Sequence, residues 1–178
     1  MSELMLDIET LGTTPGAAIV SIGAVAFDYA AGIEAEVSVS VDRQSCEFVG
    51  LHVDDETLSW WDKQDAEARR CLTGGRPLDE ALDEFDAFYD VVAPDTVWAC
   101  SPAFDCVLLD SAYRALDRDV PWRYWDQRDV RTLRDLPQWQ PAEHEGVEHD
   151  ALDDARQQAR SVIETQRRLR GPEVPADD

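Results

Sequence analysis

Lysine is almost missing from this chain: Lys63 is the only one among the sixteen lysines and arginines of 178 residues. Cysteine is sparse. Cys46, Cys71, Cys100 and Cys106 show no C-x-x-C spacing and no scaffold density, which excludes a disulfide-stapled fold and leaves no zinc motif. They read as reduced, mostly buried thiols. No run approaches the roughly 18 apolar residues of a membrane span, and the first residues lack the basic-then-apolar order of a signal peptide. The expectation is a cytoplasmic protein with no membrane partner. Repeats and low-complexity segments are absent as well. What abounds is acid: 38 Asp and Glu give a formal net charge of −22. Such a surface repels nucleic acid at low salt and calls for a basic or metallic partner. At molar salt the Debye length shrinks to about 3 Å and distant repulsion fades. A GC-rich genome explains arginine over lysine but not the excess of acids, so the composition predicts a protein adapted to a high-salt, halophilic cytoplasm.

With 44% hydrophobic and 30% charged residues, the chain fits one globular domain with its own core, expected over 1–171, and a disordered tail over 172–178. "ELMLDIETLG" (3–12) reads as a buried strand, and "AAIVSIGAVAFD" (17–28) as a second. In "IEAEVSVSV" (33–41) apolar and polar residues alternate, as in a strand with one wet face. Short turns join the three into an antiparallel meander. Helices follow over 54–72, 77–92 with Pro77 in its first position, and 104–116, with a short strand "TVWAC" (96–100) before the last of these. "DVRTL" (129–133) predicts a strand running into a helical turn, and a final helix spans about 151–170. This order predicts an α/β fold with an RNase H-like mixed five-stranded sheet flanked by helices.

Asp7 and Glu9 interrupt the apolar first strand. Two apart, they share a face, and like charges that close raise each other's pKa unless a cation lies between them. The alternative is an edge strand with two solvated acids. Asp105 follows the fourth strand at its carboxyl end, where open α/β sheets gather ligands. In "EHDALDDAR", Asp150 suits a helix N-cap and Asp153 the first-turn amides, leaving His149 and Asp154 free to face a site. His52 and His144 have no such company and are assigned no role. Trp60 and Trp61 project about 100° apart on a helix, so they are unequally buried; one or both are core, or one stacks on a terminal base. Arg131 either reaches a phosphate or pairs with a local acid.

D-x-E (Asp7, Glu9), F-D (Phe104, Asp105) and H-x-A-x-x-D (His149, Ala151, Asp154) together resemble the three motifs of the DEDDh, or DnaQ-like, 3′-to-5′ exonucleases. "TLSWWDKQDAEAR", with Thr57, Trp60, Trp61 and Gln64, and "WRYWDQRDVRTL" are similar to the exoribonuclease-like branch found in bacteria and phages. One departure is visible: Cys100 and Ser101 stand where relatives often carry an asparagine that orders the site. The resemblance implies phosphodiester hydrolysis with two Mg²⁺ or Mn²⁺ per site, roughly 4 Å apart. Asp7, Glu9, Asp105 and Asp154 would be the ligands, with Asp7 bridging the two ions, Glu9 and Asp154 completing the nucleophile side and Asp105 the other. Imidazoles ordinarily titrate near 6.5, which suits His149 to deprotonate the attacking water. The partner would be a nucleic acid with a 3′ end, RNA favoured over single-stranded DNA, with Trp60, Trp61, Gln64 and Arg131 as substrate contacts; a homodimer is compatible. Two competing classes remain: a non-catalytic accessory module that keeps the fold, and an acidic nucleic-acid mimic. Tight, stabilising Mn²⁺ binding would distinguish the nuclease from the mimic.

Overall fold

The computed structural model describes residues 2–171, so the tail expected at 172–178 lies outside the described residues. The strands are β1 (Glu3–Thr10), β2 (Ile19–Asp28), β3 (Gly32–Ser40), β4 (Thr96–Ala99) and β5 (Gln127–Asp129). The helices are α1 (Arg43–Phe48), α2 (Asp55–Trp61), α3 (Leu78–Val92), α4 (Asp105–Arg114), α5 (Val130–Arg134) and α6 (Ala151–Arg170). The sheet order is β3-β2-β1-β4-β5. β1, β2 and β3 pair antiparallel, while β4 runs parallel to β1 and β5 parallel to β4. The expected RNase H-like mixed sheet forms.

Alternation along β1 divides the interior in two. Leu4, Leu6 and Ile8 enter the larger core with Leu82 and Phe85 of α3 and Leu108 and Leu109 of α4. Met5 points the other way, into a second core with Val25, Phe27 and Trp98 beneath Ala155, Ala159 and Val162 of α6. Asp7 and Glu9 share the face of Met5 and therefore look toward α6. Glu3 lies on that face too, but its Oε2 accepts from Trp98 Nε1 at 2.9 Å and from the Thr96 hydroxyl. A buried carboxylate with donors of its own is structural.

Four features differ from the sequence reading. The segment 54–72 is not one helix: α2 stops at Trp61, and a 3-10 turn occupies Ala68–Leu72. Trp61 is 1% exposed and its indole N–H donates to the Thr10 carbonyl at 2.9 Å, anchoring the helix end to β1. Gln64 then folds its amide back onto the Trp60 carbonyl at 3.0 Å. Helix α1, for which no periodicity spoke, is nucleated by Asp42, whose side chain accepts from the Ser45 amide at 3.0 Å. β5 ends at Asp129, which caps α5 by accepting from the Arg131 amide at 2.8 Å, so the strand lies two residues earlier than "DVRTL". Pro77 takes the N-cap of α3 rather than its first turn.

Candidate active site

Separate pieces of chain deliver the acids. Asp7 and Glu9 come from the carboxyl half of β1, and Asp105 opens α4, its amide bonded to the Ser101 carbonyl at 3.0 Å. His149 lies on the turn before α6, with a left-handed φ of 64°, and Asp154 lies in the first turn of that helix. A glycine decides how near the helix comes. Gly23 pairs with Asp7 across β1 and β2, and a Cβ there would stand 2.2 Å from the carbonyl of Ala151. Only a bare backbone lets the α6 N-terminus sit on the sheet beside Asp7.

Asp150 is occupied as its position predicted, whereas Asp153 is held by the preceding loop and by Arg156 instead of the first-turn amides. Asp150 caps α6, its Oδ1 accepting from the Leu152 and Asp153 amides at 3.1 and 3.2 Å. Asp153 accepts from the Val147 amide at 2.9 Å and from Arg156 at 2.6 Å. Asp154 and His149 are left facing the cluster: donor atoms of Glu9, His149 and Asp154 all lie within 4.8 Å of one another.

The electrostatics are those of acids forced together. Burial, followed by repulsion from Asp105 and Asp154, holds Asp7 well above the usual carboxylate range, against a hydrogen bond from Gln158. Glu9 is pushed to about 10 by burial and then by Asp7, Asp154 and Asp105. Burial lifts Asp105 to about 7, opposed by the Ile8 amide and Arg131. Asp154 is raised by burial, with His144 and His149 pulling the other way. Asp105 is 3% exposed, and its Oδ2 has no hydrogen-bond partner among the described residues. A buried carboxylate oxygen without a donor, inside a set of oxygen ligands, fits a hard divalent cation.

Two further side chains complete the site: Gln158, which the sequence reading passed over, and His144, which it wrongly assigned no role. His144 Nε2 lies 2.7 Å from Asp154 Oδ1, and Gln158 Nε2 donates to Asp7 Oδ1 at 2.7 Å. Gln158 follows Asp154 by four residues and so shares its helical face, a signal that was available; His144 comes from an irregular loop and gave none. The expected substrate contacts divide. Trp60 is 40% exposed, with its ring centroid 4.8 Å from that of His149 in an edge-to-face pair. It borders a cavity of about 370 Å³ also lined by Glu9, Thr13, Thr57 and Phe104. Trp61 also lines it, but its side chain is buried, and Gln64 is spent on the end of α2. Against burial, which raises both groups, the positive charge of Arg131 lowers the pKa of Cys100 and Asp105, and among the described residues it has no ion pair with an acid. At the departure from the family pattern, Ser101 is buried and its carbonyl accepts from Phe104 and Asp105 amides.

Comparisons with known proteins bear on the fold and the family. The E. coli Exonuclease I structure with a dT13 oligonucleotide superposes with a TM-score of 0.67 at 15% identity, covering 94% of this chain and 42% of that one. The chain thus spans less than half the length of Exonuclease I. S. pombe Pop2p in its Mg²⁺ and Mn²⁺ bound form gives a TM-score of 0.61 at 13% identity, covering 98% of this chain and 86% of that one. An exodeoxyribonuclease of Enterobacteria phage T4 is 24% identical over 163 residues, 74% of this chain and 70% of that protein. The structures share the fold, and residues 2–166 match one family model across nearly the whole length: the chain belongs to the 3′-5′ exoribonuclease Rv2179c-like domain family.

Proposed function

We propose that this protein is a metal-dependent 3′-to-5′ exonuclease of the DEDDh type, acting on nucleic acid with a free 3′ end and releasing nucleoside 5′-monophosphates. One observation carries the reading: Asp7, Glu9, Asp105, His149 and Asp154, far apart in sequence, converge beside an open cavity, with the acids held at raised pKa by one another and by burial. The four carboxylates would hold Mg²⁺ or Mn²⁺, two per site. When bound, the cations offset the repulsion among the acids and supply Lewis acidity toward a phosphodiester.

The chain's own residues do the remainder. Gln158 fixes the rotamer of Asp7, and His144 does the same for Asp154. His149, on its left-handed turn against Trp60, takes the proton of the attacking water at an imidazole nitrogen. The cavity between Trp60 and Phe104 receives the terminal nucleoside, the base stacking on Trp60. RNA is the favoured substrate and single-stranded DNA the second, following the family's description against the name of the phage relative. The domain spans 1–171, and its acidic surface suits a cytoplasm of high salt, where melts in low and molar KCl should show stability rising with salt.

The test is hydrolysis of matched 5′-labelled single-stranded RNA and DNA with Mg²⁺ or Mn²⁺, at low and molar KCl, beside Asp7→Ala and His149→Ala. A metal-dependent ladder shortening from the 3′ end and abolished by Asp7→Ala is the expected result, the faster ladder naming the sugar. Silence from folded protein with every metal, salt and substrate would make it an accessory module.

A further inference from the structure

Positive charge is unevenly placed in this acidic chain. From residue 123 to 134, "RYWDQRDVRTLR", four arginines stand with two aspartates, a net positive stretch in a chain of net charge −22. Eight arginines elsewhere are engaged in ion pairs. Arg123, Arg128, Arg131 and Arg134 are exposed and, among the described residues, form none. Two large aromatics stand out of the same stretch: Tyr124 is 80% and Trp125 55% exposed, with ring centroids 4.7 Å apart. The guanidinium of Arg123 lies 5.6 Å from the Trp125 ring centre, and Arg128 is held beside it by bonds of 2.8 Å to the Trp125 and Gln127 carbonyls.

This ridge leads to the carboxylate cluster. β5 is the edge strand and runs parallel to β4, so its carboxyl end lies at the end of the sheet that carries Asp105. There Arg131, two residues past the end of β5, stands within electrostatic reach of Cys100 and Asp105. The aromatic pair sits at the opposite end of β5, on the order of 10 Å of extended backbone away.

We propose that this ridge is a track for single-stranded nucleic acid: Tyr124 and Trp125 stack on bases, and Arg123, Arg128 and Arg131 contact phosphates, of the substrate strand upstream of the cleaved bond. The proposal rests on the exonuclease reading above. Charge selects the occupant. A two-fold contact between copies of this chain would set arginines against arginines, whereas a phosphate backbone complements them, and aromatic faces interleaved with guanidinium groups bind single strands without regard to sequence.

The experiment compares dinucleotide and octanucleotide substrates, in wild type, Tyr124→Ala/Trp125→Ala and Arg128→Ala. The readout is the ratio of kcat/KM on the long substrate to that on the short one. It is joined by octanucleotide anisotropy on an Asp7→Asn background and by the oligomeric state from light scattering. The ratio should fall roughly tenfold or more in the double variant, and Arg128→Ala should reduce the salt slope of octanucleotide affinity by about 0.7. An unchanged ratio overturns the track. So does a wild-type dimer that the double variant converts to monomers with the ratio intact, which would assign the aromatics to self-association. If no length is hydrolysed, the exonuclease reading falls by itself; the track then stands or falls on whether the double variant weakens octanucleotide binding.

Discussion

Glu9→Gln should make the metal-free protein more stable while destroying its activity. Glu9 is 9% exposed and its carboxyl is pushed from 4.5 to about 10 by burial, then by Asp7, Asp154 and Asp105. The folded state therefore holds a proton that the unfolded chain releases near 4.5, and stability must fall as pH rises from there toward about 10. Each pH unit in that window costs about 1.4 kcal/mol. Between about pH 5 and about pH 8 the wild type should thus lose on the order of 4 kcal/mol that the glutamine variant keeps. Urea melts of both proteins in EDTA, read at the two pH values, measure this directly. The comparison is of slopes, so any constant effect of burying an amide drops out. Mn²⁺ should narrow that gap, since a ligand at a hundred times its Kd adds about 2.7 kcal/mol to the protein that binds it, and close it at about a thousand times Kd, where the gain is about 4.1 kcal/mol. Parallel pH–stability curves for the two proteins would refute the account of Glu9 as an acid held neutral by burial and its neighbours.

His149→Gln should lower kcat by about 10²- to 10⁴-fold, read by single-turnover hydrolysis, while stability in urea falls only by the lost edge-to-face contact with Trp60, about 0.5–1.5 kcal/mol. Gln158→Leu removes the donor to Asp7 and should raise the Mn²⁺ Kd by about 10- to 100-fold in calorimetric titrations, while affinity equal to wild type would make Gln158 a packing residue alone. Gly23→Ala drives a methyl into the Ala151 backbone and should cost about 1–3 kcal/mol, with metal affinity falling as α6 carries Asp154 away; a stable, tightly binding variant would contradict the close approach. Trp61→Phe strands the Thr10 carbonyl and should cost about 1–3 kcal/mol in melts.

What the sequence determined by itself was whatever repeats at short range. Apolar runs bounded by turns placed β1 and β2, period-two alternation placed β3, and the two-residue spacing set Asp7 and Glu9 on one face; the Asp150 cap fixed the start of α6, and with it the separation of Asp150 and Asp153 from His149 and Asp154. The motif set, local in each part, pointed to the nuclease family. Where local signals competed, tertiary contacts decided. The run 54–72 carries no helix breaker, yet α2 ends where Trp61 is drawn to the Thr10 carbonyl, a contact between residues 51 apart that no window includes. His144 reaches Asp154 from a loop without periodicity. Arg131, ambiguous between an acid and a phosphate, forms no ion pair among the described residues and acts on Asp105 only through its charge, an outcome set by how α5 and α4 are placed rather than by its neighbours in sequence. The distance between β1 and α6 was beyond sequence too: Gly23 reads as one more small residue in an apolar strand, and only the packed helix shows that its missing Cβ is the space in which Asp154 comes to Asp7.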